Sequence, residues 1–283
     1  MRNANEYRSA LKPVWCPGCG DFGVLKALTQ ALGDLDVPPE KVGMISGIGC
    51  SSRMPGYMRA FSFNSIHGRA LPIASGLKLA RPDLTVVAVG GDGDGLSIGA
   101  GHLPHAIRRD VDITYIMMDN GIYALTKGQA SATTEMERKA ELGLAGTQER
   151  PINPVMFALS LGCGFVANAH SGSLPLMRQL IREAIQYPGF AFVRVLAGCA
   201  TYQSKAYQQE ILARCDQLPE DHDPTNIRAA VDLALTLRFQ LGVLYRRPPE
   251  EKPAFAEPYA WEEAARAARL AESRDLSYPV DTD

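Results

Sequence analysis

No uninterrupted apolar run in this chain approaches the roughly 18 residues needed to cross a bilayer, which excludes a membrane-spanning helix as a design feature. The opening "MRNANEYRSALKPVWCPG" lacks the apolar core of a signal peptide, so the expected location is cytoplasmic. Charge of one sign is also missing. Lys and Arg number 29 against 31 Asp and Glu, a net charge of −2 with no basic run, which argues against nucleic acid and against an anionic membrane surface as partners. Internal repeats are absent, which excludes a repeat array. Among the six cysteines only Cys16 and Cys19 form a close pair, so the two paired motifs of a zinc ribbon are not there.

What is present is ordinary for a soluble globular protein. Apolar residues make up 46% and charged residues 21%, and 283 residues suffice to bury a substantial core in one large domain or two small ones. Four short, nearly continuous apolar runs read as buried strands: 41–49, 84–91, 111–120 and 189–198. Helical patterns lie between them at 22–32, 69–80, 95–109 and 173–186. Strand–helix alternation predicts an α/β fold with a parallel sheet flanked by helices. A composition change near residue 205 predicts a domain over 1–205 and a C-terminal helical extension over 206–283. That extension would hold an amphipathic helix at 226–242, a Pro- and charge-rich stretch and a short helix at 260–272, or else be a partly disordered tail.

The central segment "GGDGDGLSIGAGHLPHAIRRDVDITYIMMDNGIYALTKGQ" covers 90–129. A strand ends there in Gly-Asp-Gly and a helix follows at once. Glycines at a strand's carboxyl end let backbone N–H groups approach a phosphate, and the helix N-terminus favours the negative charge. Asp92 and Asp94 would repel a bare phosphate, and a divalent cation resolves that conflict. Mg²⁺ takes oxygen ligands from one or two carboxylates and from substrate phosphates. If the strand ending at Asp119 neighbours the one ending at Gly91, Asn120 and the Ile122 carbonyl reach the same metal. A turn with solvated aspartates is the bland alternative.

The stretch "VWCPGCGDFG" at 14–23 carries Cys16 and Cys19, which read as a thiol–disulfide couple, half of a zinc site or half of an iron–sulfur site. Cys50 in "GIGCSSRMPG" and Cys199 in "VLAGCATYQS" each follow a buried strand. Parallel strands end on one side of a sheet, so all four can converge, and four thiolates bind either zinc or a cubane cluster. Cys163 reads as core filling at a helix–strand junction and Cys215 as a helix-surface residue.

The wording "HGRALPIASGLKLARPDLTVVAVGGDGDGLSIGAGHLPHAIRR" with "NGIYALTKGQ", together with both cysteine regions, resembles the β subunit of 2-oxoacid:ferredoxin oxidoreductases over about residues 13–205. The resemblance implies a thiamine diphosphate-binding fold in which Cys16, Cys19, Cys50 and Cys199 ligate one 4Fe–4S cluster. Asp92, Asn120 and the Ile122 carbonyl would hold Mg²⁺. Ile48, Gly49, Cys50, Ser51, His67, Gly91, Gly93, Asp94, Ala124 and Leu125 would contact thiamine diphosphate, although many members have Gly where this chain has Ala124. His67, Arg53 and Lys127 are the expected catalytic side chains, the two basic ones as partners for a substrate carboxylate or coenzyme A phosphates. The implied activity is oxidative decarboxylation of a 2-oxoacid with coenzyme A and ferredoxin, or the reverse carboxylation that fixes carbon. An α subunit would supply the carboxylate beside the aminopyrimidine in an α2β2 heterotetramer, leaving this chain inactive alone. "HGRALPIASGLKLARPDL" resembles the 2-oxoglutarate branch. A pyruvate or branched-chain enzyme, a non-redox thiamine enzyme with structural zinc, and a zinc-bound interaction module are the competing readings.

Overall fold

In the computed structural model of this chain the described residues are 1–136, 138 and 146–248. Ten strands run in chain order: β1 Val42–Ser46, β2 Phe61–Asn64, β3 Thr85–Gly91, β4 Thr114–Asp119, β5 Ile122–Tyr123, β6 Gln129–Ala130, β7 Phe165–His170, β8 Ala191–Leu196, β9 Cys215–Gln217 and β10 Phe239–Arg246. Eight of them form one sheet in the order β2-β1-β3-β4-β8-β7-β10-β9, and β5 and β6 pair separately as a small hairpin. Within the eight, only the β7–β10 pairing is antiparallel. Every residue of β1, β4 and β8 is buried, as expected of parallel strands covered on both faces.

Helices supply the two covers. On one face α1 (Asp21–Asp34) packs against α5 (Leu174–Gln186), placing Val24, Leu28, Leu32, Leu180 and Ile181 over Val87, Ile116, Ala167 and Val193. On the other, α2 (Ala70–Ala80), α3 (Leu103–Arg108), α4 (Pro154–Ser160) and α7 (Ile227–Ala234) cover Ala88, Tyr115, Met117 and Phe192. After β1 the chain pairs first on one side as β2 and then on the other as β3, so the loops part between β1 and β3. Such a crevice at the carboxyl ends of parallel strands is where open α/β sheets bind ligands.

The four expected strands and the helices at 22–32, 69–80 and 173–186 all form, within a few residues. Four expectations fail. The helix expected over 95–109 is broken into a wide π-helical turn at Asp94–Ile98, a short 3₁₀ turn and α3. Gly99 is packed so tightly that a Cβ would lie 2.5 Å from the Asp94 carbonyl, and the wide turn directs Asp94 inward. The helix expected over 226–242 stops at Ala234, where Thr236 Oγ1 donates to the Leu233 carbonyl, and Phe239–Arg246 becomes strand β10. β10 pairs with β7 from Gly242↔Asn168 to Arg246↔Phe165, so residues 206–247 complete the same compact unit as 1–205 and no boundary falls at 205. The apolar Ala/Leu run at 230–237 suggested a continuing helix, and only pairing with β9 and β7 decides otherwise. Cys215 opens strand β9 rather than lying on a helix surface, with its Sγ donating to the Ile211 carbonyl. The helix expected at 260–272 lies outside the described residues.

Candidate cofactor and cluster site

The loops at the carboxyl ends of β1, β3 and β4 meet around Asp94. This carboxylate, almost wholly buried, accepts from Ile48 N–H at 2.9 Å, Gly68 N–H at 2.7 Å and His67 Nδ1 at 2.7 Å. A carboxylate is acceptor-only, so His67 carries a proton on Nδ1 and leaves Nε2 free of this contact. His67 lines the cleft, edge-on to the Tyr123 ring. Room for Asp94 exists because residue 47 is glycine; a Cβ there would fall 1.8 Å from Asp94 Oδ2. Gly93 sits under Tyr123 in the same way; a Cβ there would fall 2.4 Å from the Tyr123 ring.

Beside this knot lies a buried acidic pair. Asp92 Oδ2 accepts from Ser131 Oγ and from Thr133 Oγ1 at 2.9 Å, and Asp92 Oδ1 accepts weakly from Asn120 N–H at 3.3 Å. The same Thr133 Oγ1 lies 2.7 Å from Asp119 Oδ1. One hydroxyl has one proton, so it cannot satisfy both carboxylates. Burial, and then the neighbouring Asp119 charge, push the Asp92 carboxyl well above the usual carboxylate range. Asp119 is compensated by Arg194, whose Nε and Nη2 reach Oδ2 at 2.8 and 2.7 Å. Asp92 has no cation of its own among the described residues. A divalent ion is the chemistry this donor set fits: the Asp92 carboxylate, the Asn120 side-chain oxygen held by Ile122 N–H at 3.0 Å, and the Ile122 carbonyl. Ser51 Oγ, buried at the cleft wall with no hydrogen-bond partner, is a second sign that a polar ligand belongs there.

Ile48, Gly49, Cys50, Ser51, His67, Gly91, Asp92, Gly93, Asp94, Asn120, Ile122, Ala124 and Leu125 all line one cleft. Arg53 and Lys127 do not. Both are exposed and neither is among the residues that line it; Lys127 follows the lining residue Thr126 with a φ of 79°, and Arg53 is near enough to Cys50 to act on its thiol. A larger cavity of about 510 Å³ lies behind Asn120 against Arg194, Asn168 and Gln203, and shares only Asn120 with the expected residues.

The four cysteines gather at the cleft's edge with no disulfide among them. Burial pushes the Cys50 thiol up to about 11, with Asp21, Cys199 and Cys16 adding to it and Arg53 opposing. Cys19 is raised further, by burial first, then by Asp21, and also by Cys50 and Cys199, so Cys19, Cys50 and Cys199 feel one another, and Cys16 is felt by Cys50. Yet among the described residues no three His, Cys, Asp or Glu side chains group around one metal-ion position. A single zinc with Zn–S of about 2.3 Å needs sulfurs only about 3.8 Å apart. Four thiolates can bind either zinc or a cubane cluster.

Three residues hold this arrangement that sequence reasoning did not single out. Trp15 donates from Nε1 to the Cys50 carbonyl at 2.7 Å and packs edge-on to Phe22 and Tyr57, tying the N-terminal loop to the loop after β1. Gln203 accepts from Cys199 N–H at 2.8 Å and donates to the Asn120 carbonyl, so one side chain joins the cysteine turn to the metal turn. Arg194 was visible as a lone charge in the apolar run "AFVRVL", a pattern that needs a buried counter-ion. Trp15 and Gln203 left no comparable signal.

Residues 47–195 match the family described as thiamine pyrophosphate enzyme, C-terminal TPP binding domain, so fold and site define a thiamine diphosphate-binding domain. Relatives are more specific. A Sulfolobus 2-oxoacid:ferredoxin oxidoreductase subunit beta is 39% identical over 259 residues, 86% of this chain and 84% of its own length. The Mycobacterium tuberculosis 2-oxoglutarate oxidoreductase subunit KorB is 41% identical over 206 residues, 73% of this chain and 55% of its own. Among solved structures, a 2-oxoglutarate:ferredoxin oxidoreductase from Magnetococcus marinus with 2-oxoglutarate, coenzyme A and succinyl-CoA bound superposes with a TM-score of 0.86 at 38% identity, covering 99% of this chain and 93% of that one. This chain belongs to the β subunits of the 2-oxoacid:ferredoxin oxidoreductases.

Proposed function

We propose that this chain, paired with an α subunit in an α2β2 assembly in the cytoplasm, oxidatively decarboxylates 2-oxoglutarate, or carboxylates succinyl-CoA in reverse. The overall balance is one 2-oxoacid, one coenzyme A and two oxidised ferredoxins giving one acyl-CoA, one CO₂, one proton and two reduced ferredoxins. When bound, thiamine diphosphate would supply carbanion and electron-sink chemistry, and a 4Fe–4S cluster would supply one-electron transfer. Asp92, Asn120 and the Ile122 carbonyl hold Mg²⁺ for the diphosphate. Gly91, Gly93 and Ser51 Oγ meet the phosphates, and Ile48, Gly49, Ala124 and Leu125 wall the cofactor. His67, its Nδ1–H anchored on Asp94, offers Nε2 to a proton at the cleft mouth. Cys16, Cys19, Cys50 and Cys199 ligate the cluster.

The observation that carries this reading is the uncompensated Asp92 carboxylate beside Asn120, one side chain (Gln203) away from a gathered set of four thiols. The 2-oxoglutarate preference follows the relatives named for that substrate. The test is reconstitution with the α subunit and turnover on 2-oxoglutarate, pyruvate and branched-chain 2-oxoacids. Visible absorbance bleached by dithionite, and lost in Cys16→Ser, is expected of the purified complex. A colourless, zinc-containing protein would refute the cluster, and a preference for pyruvate would refute the substrate.

A further inference from the structure

The two segments that carry Cys16, Cys19 and Cys50 are free of acidic residues. Residues 7–20 hold Arg8 and Lys12 with no Asp or Glu, and residues 41–82 hold six Lys or Arg with no Asp or Glu. In a chain of net charge −2 this segregates positive charge onto one part of the surface. The fold brings the two segments together. Arg8 and Met58 form an antiparallel bridge, Arg59 N–H donates to the Tyr7 carbonyl at 2.8 Å, and Ser9 Oγ donates to the Gly56 carbonyl at 2.7 Å.

Some of the basic groups are already engaged. Lys41 and Arg81 pair with Asp83, and Lys78 with Asp112. Arg8, Lys12, Arg53 and Arg59 are exposed and have no ion-pair partner among the described residues. Two large apolar side chains, Leu11 at 64% and Val14 at 67% exposure, flank Lys12 on the stretch that leads to the exposed Cys16. Asp21, beside the cysteines, is buried and hydrogen-bonded to the Cys19 thiol, and Glu6 and Asp36, near Tyr7, are paired with Arg2 and the N-terminal amine. An apolar centre ringed by unpaired cations beside the outermost cluster thiol is the electrostatic complement of an acidic protein.

We infer that Arg8, Lys12, Arg53 and Arg59, around Leu11 and Val14, form the docking surface for an acidic one-electron carrier protein that collects electrons at the Cys16 edge. The inference rests on the cluster reading proposed above. A small substrate anion is a poor occupant because Arg53 stands outside the cofactor cleft.

The experiment uses the complex with the α subunit and two electron acceptors, an acidic ferredoxin and a small uncharged quinone. Raising the salt from low to about 0.5 M should cut kcat/KM for ferredoxin about tenfold or more while leaving quinone reduction unchanged. Arg8→Glu, Lys12→Glu and Arg59→Glu should each raise KM for ferredoxin about fivefold or more, again with quinone reduction intact. Ferredoxin kinetics indifferent to salt and to all three variants, with quinone still reduced, would overturn the docking surface and leave the proposed function standing. Variants that fail to assemble with the α subunit would also overturn it, by making the patch a subunit contact. A wild-type complex that reduces neither acceptor would refute the function itself.

Discussion

Replacing Arg194 by Leu should expose how the metal turn is held. Arg194 and Asp119 are 8% and 4% exposed, and both Nε and Nη2 rest on one carboxylate oxygen. Breaking a buried pair by removing one partner costs about 3–5 kcal/mol, because an uncompensated charge remains. Asp119 would keep Gly121 N–H at 3.1 Å and Thr133 Oγ1 at 2.7 Å, so the lower end, about 3 kcal/mol, is expected. For a domain of this size each kcal/mol shifts Tm by about 2–4 °C, giving a fall of about 6–12 °C in a calorimetric melt of the metal-free chain. The charge argument has a second consequence. Adding Asp119→Asn to Arg194→Leu removes the stranded charge and should recover at least half of the loss, whereas independent contacts would make the losses add. An Arg194→Leu chain melting within about 1 °C of the parent would refute the reasoning.

Asp92→Ala should abolish Mg²⁺-dependent binding of thiamine diphosphate, read by calorimetric titration, while the fold stays intact. Gly47→Ala must push Asp94 off its three donors, so a fall in Tm and weaker cofactor binding are expected together; an unchanged chain would mean that the loops have other anchors. Gln203→Leu should perturb the cluster's spectroscopic signature and the cofactor affinity in one variant, since its amide joins both turns. The pH dependence has a definite sign. Burial raises the Asp21 carboxyl to about 7, so its contribution to stability is complete at acid pH and is lost as pH rises from the ordinary carboxylate range through about 7. Urea melts of the metal-free chain should show this decline between about pH 4 and about pH 7, and Asp21→Asn should flatten it.

Local chemistry made much of this protein legible in one dimension. Short apolar runs announced β1, β3, β4 and β8, because strands buried on both faces must be apolar throughout. Gly-Asp-Gly at a strand end announced the cofactor loop, because only glycine and a metal-binding acid make sense of that pattern beside a phosphate. Which side chains face one another was not local information. Strand order brought Asp119 to Arg194 across 75 residues and Thr133 to Asp92 across 41, and it carried Arg53 and Lys127 out of the cleft their charge had suggested for them. Pairing with β9 and β7 turned the end of the expected helix, residues 239–242, into the start of β10, since hydrogen-bonded partner strands outweigh the small helix propensity of a few residues. Residue types and spacing therefore determined what chemistry this chain can do, and only the sheet's long-range pairing decided which groups are close enough, and buried enough, to do it.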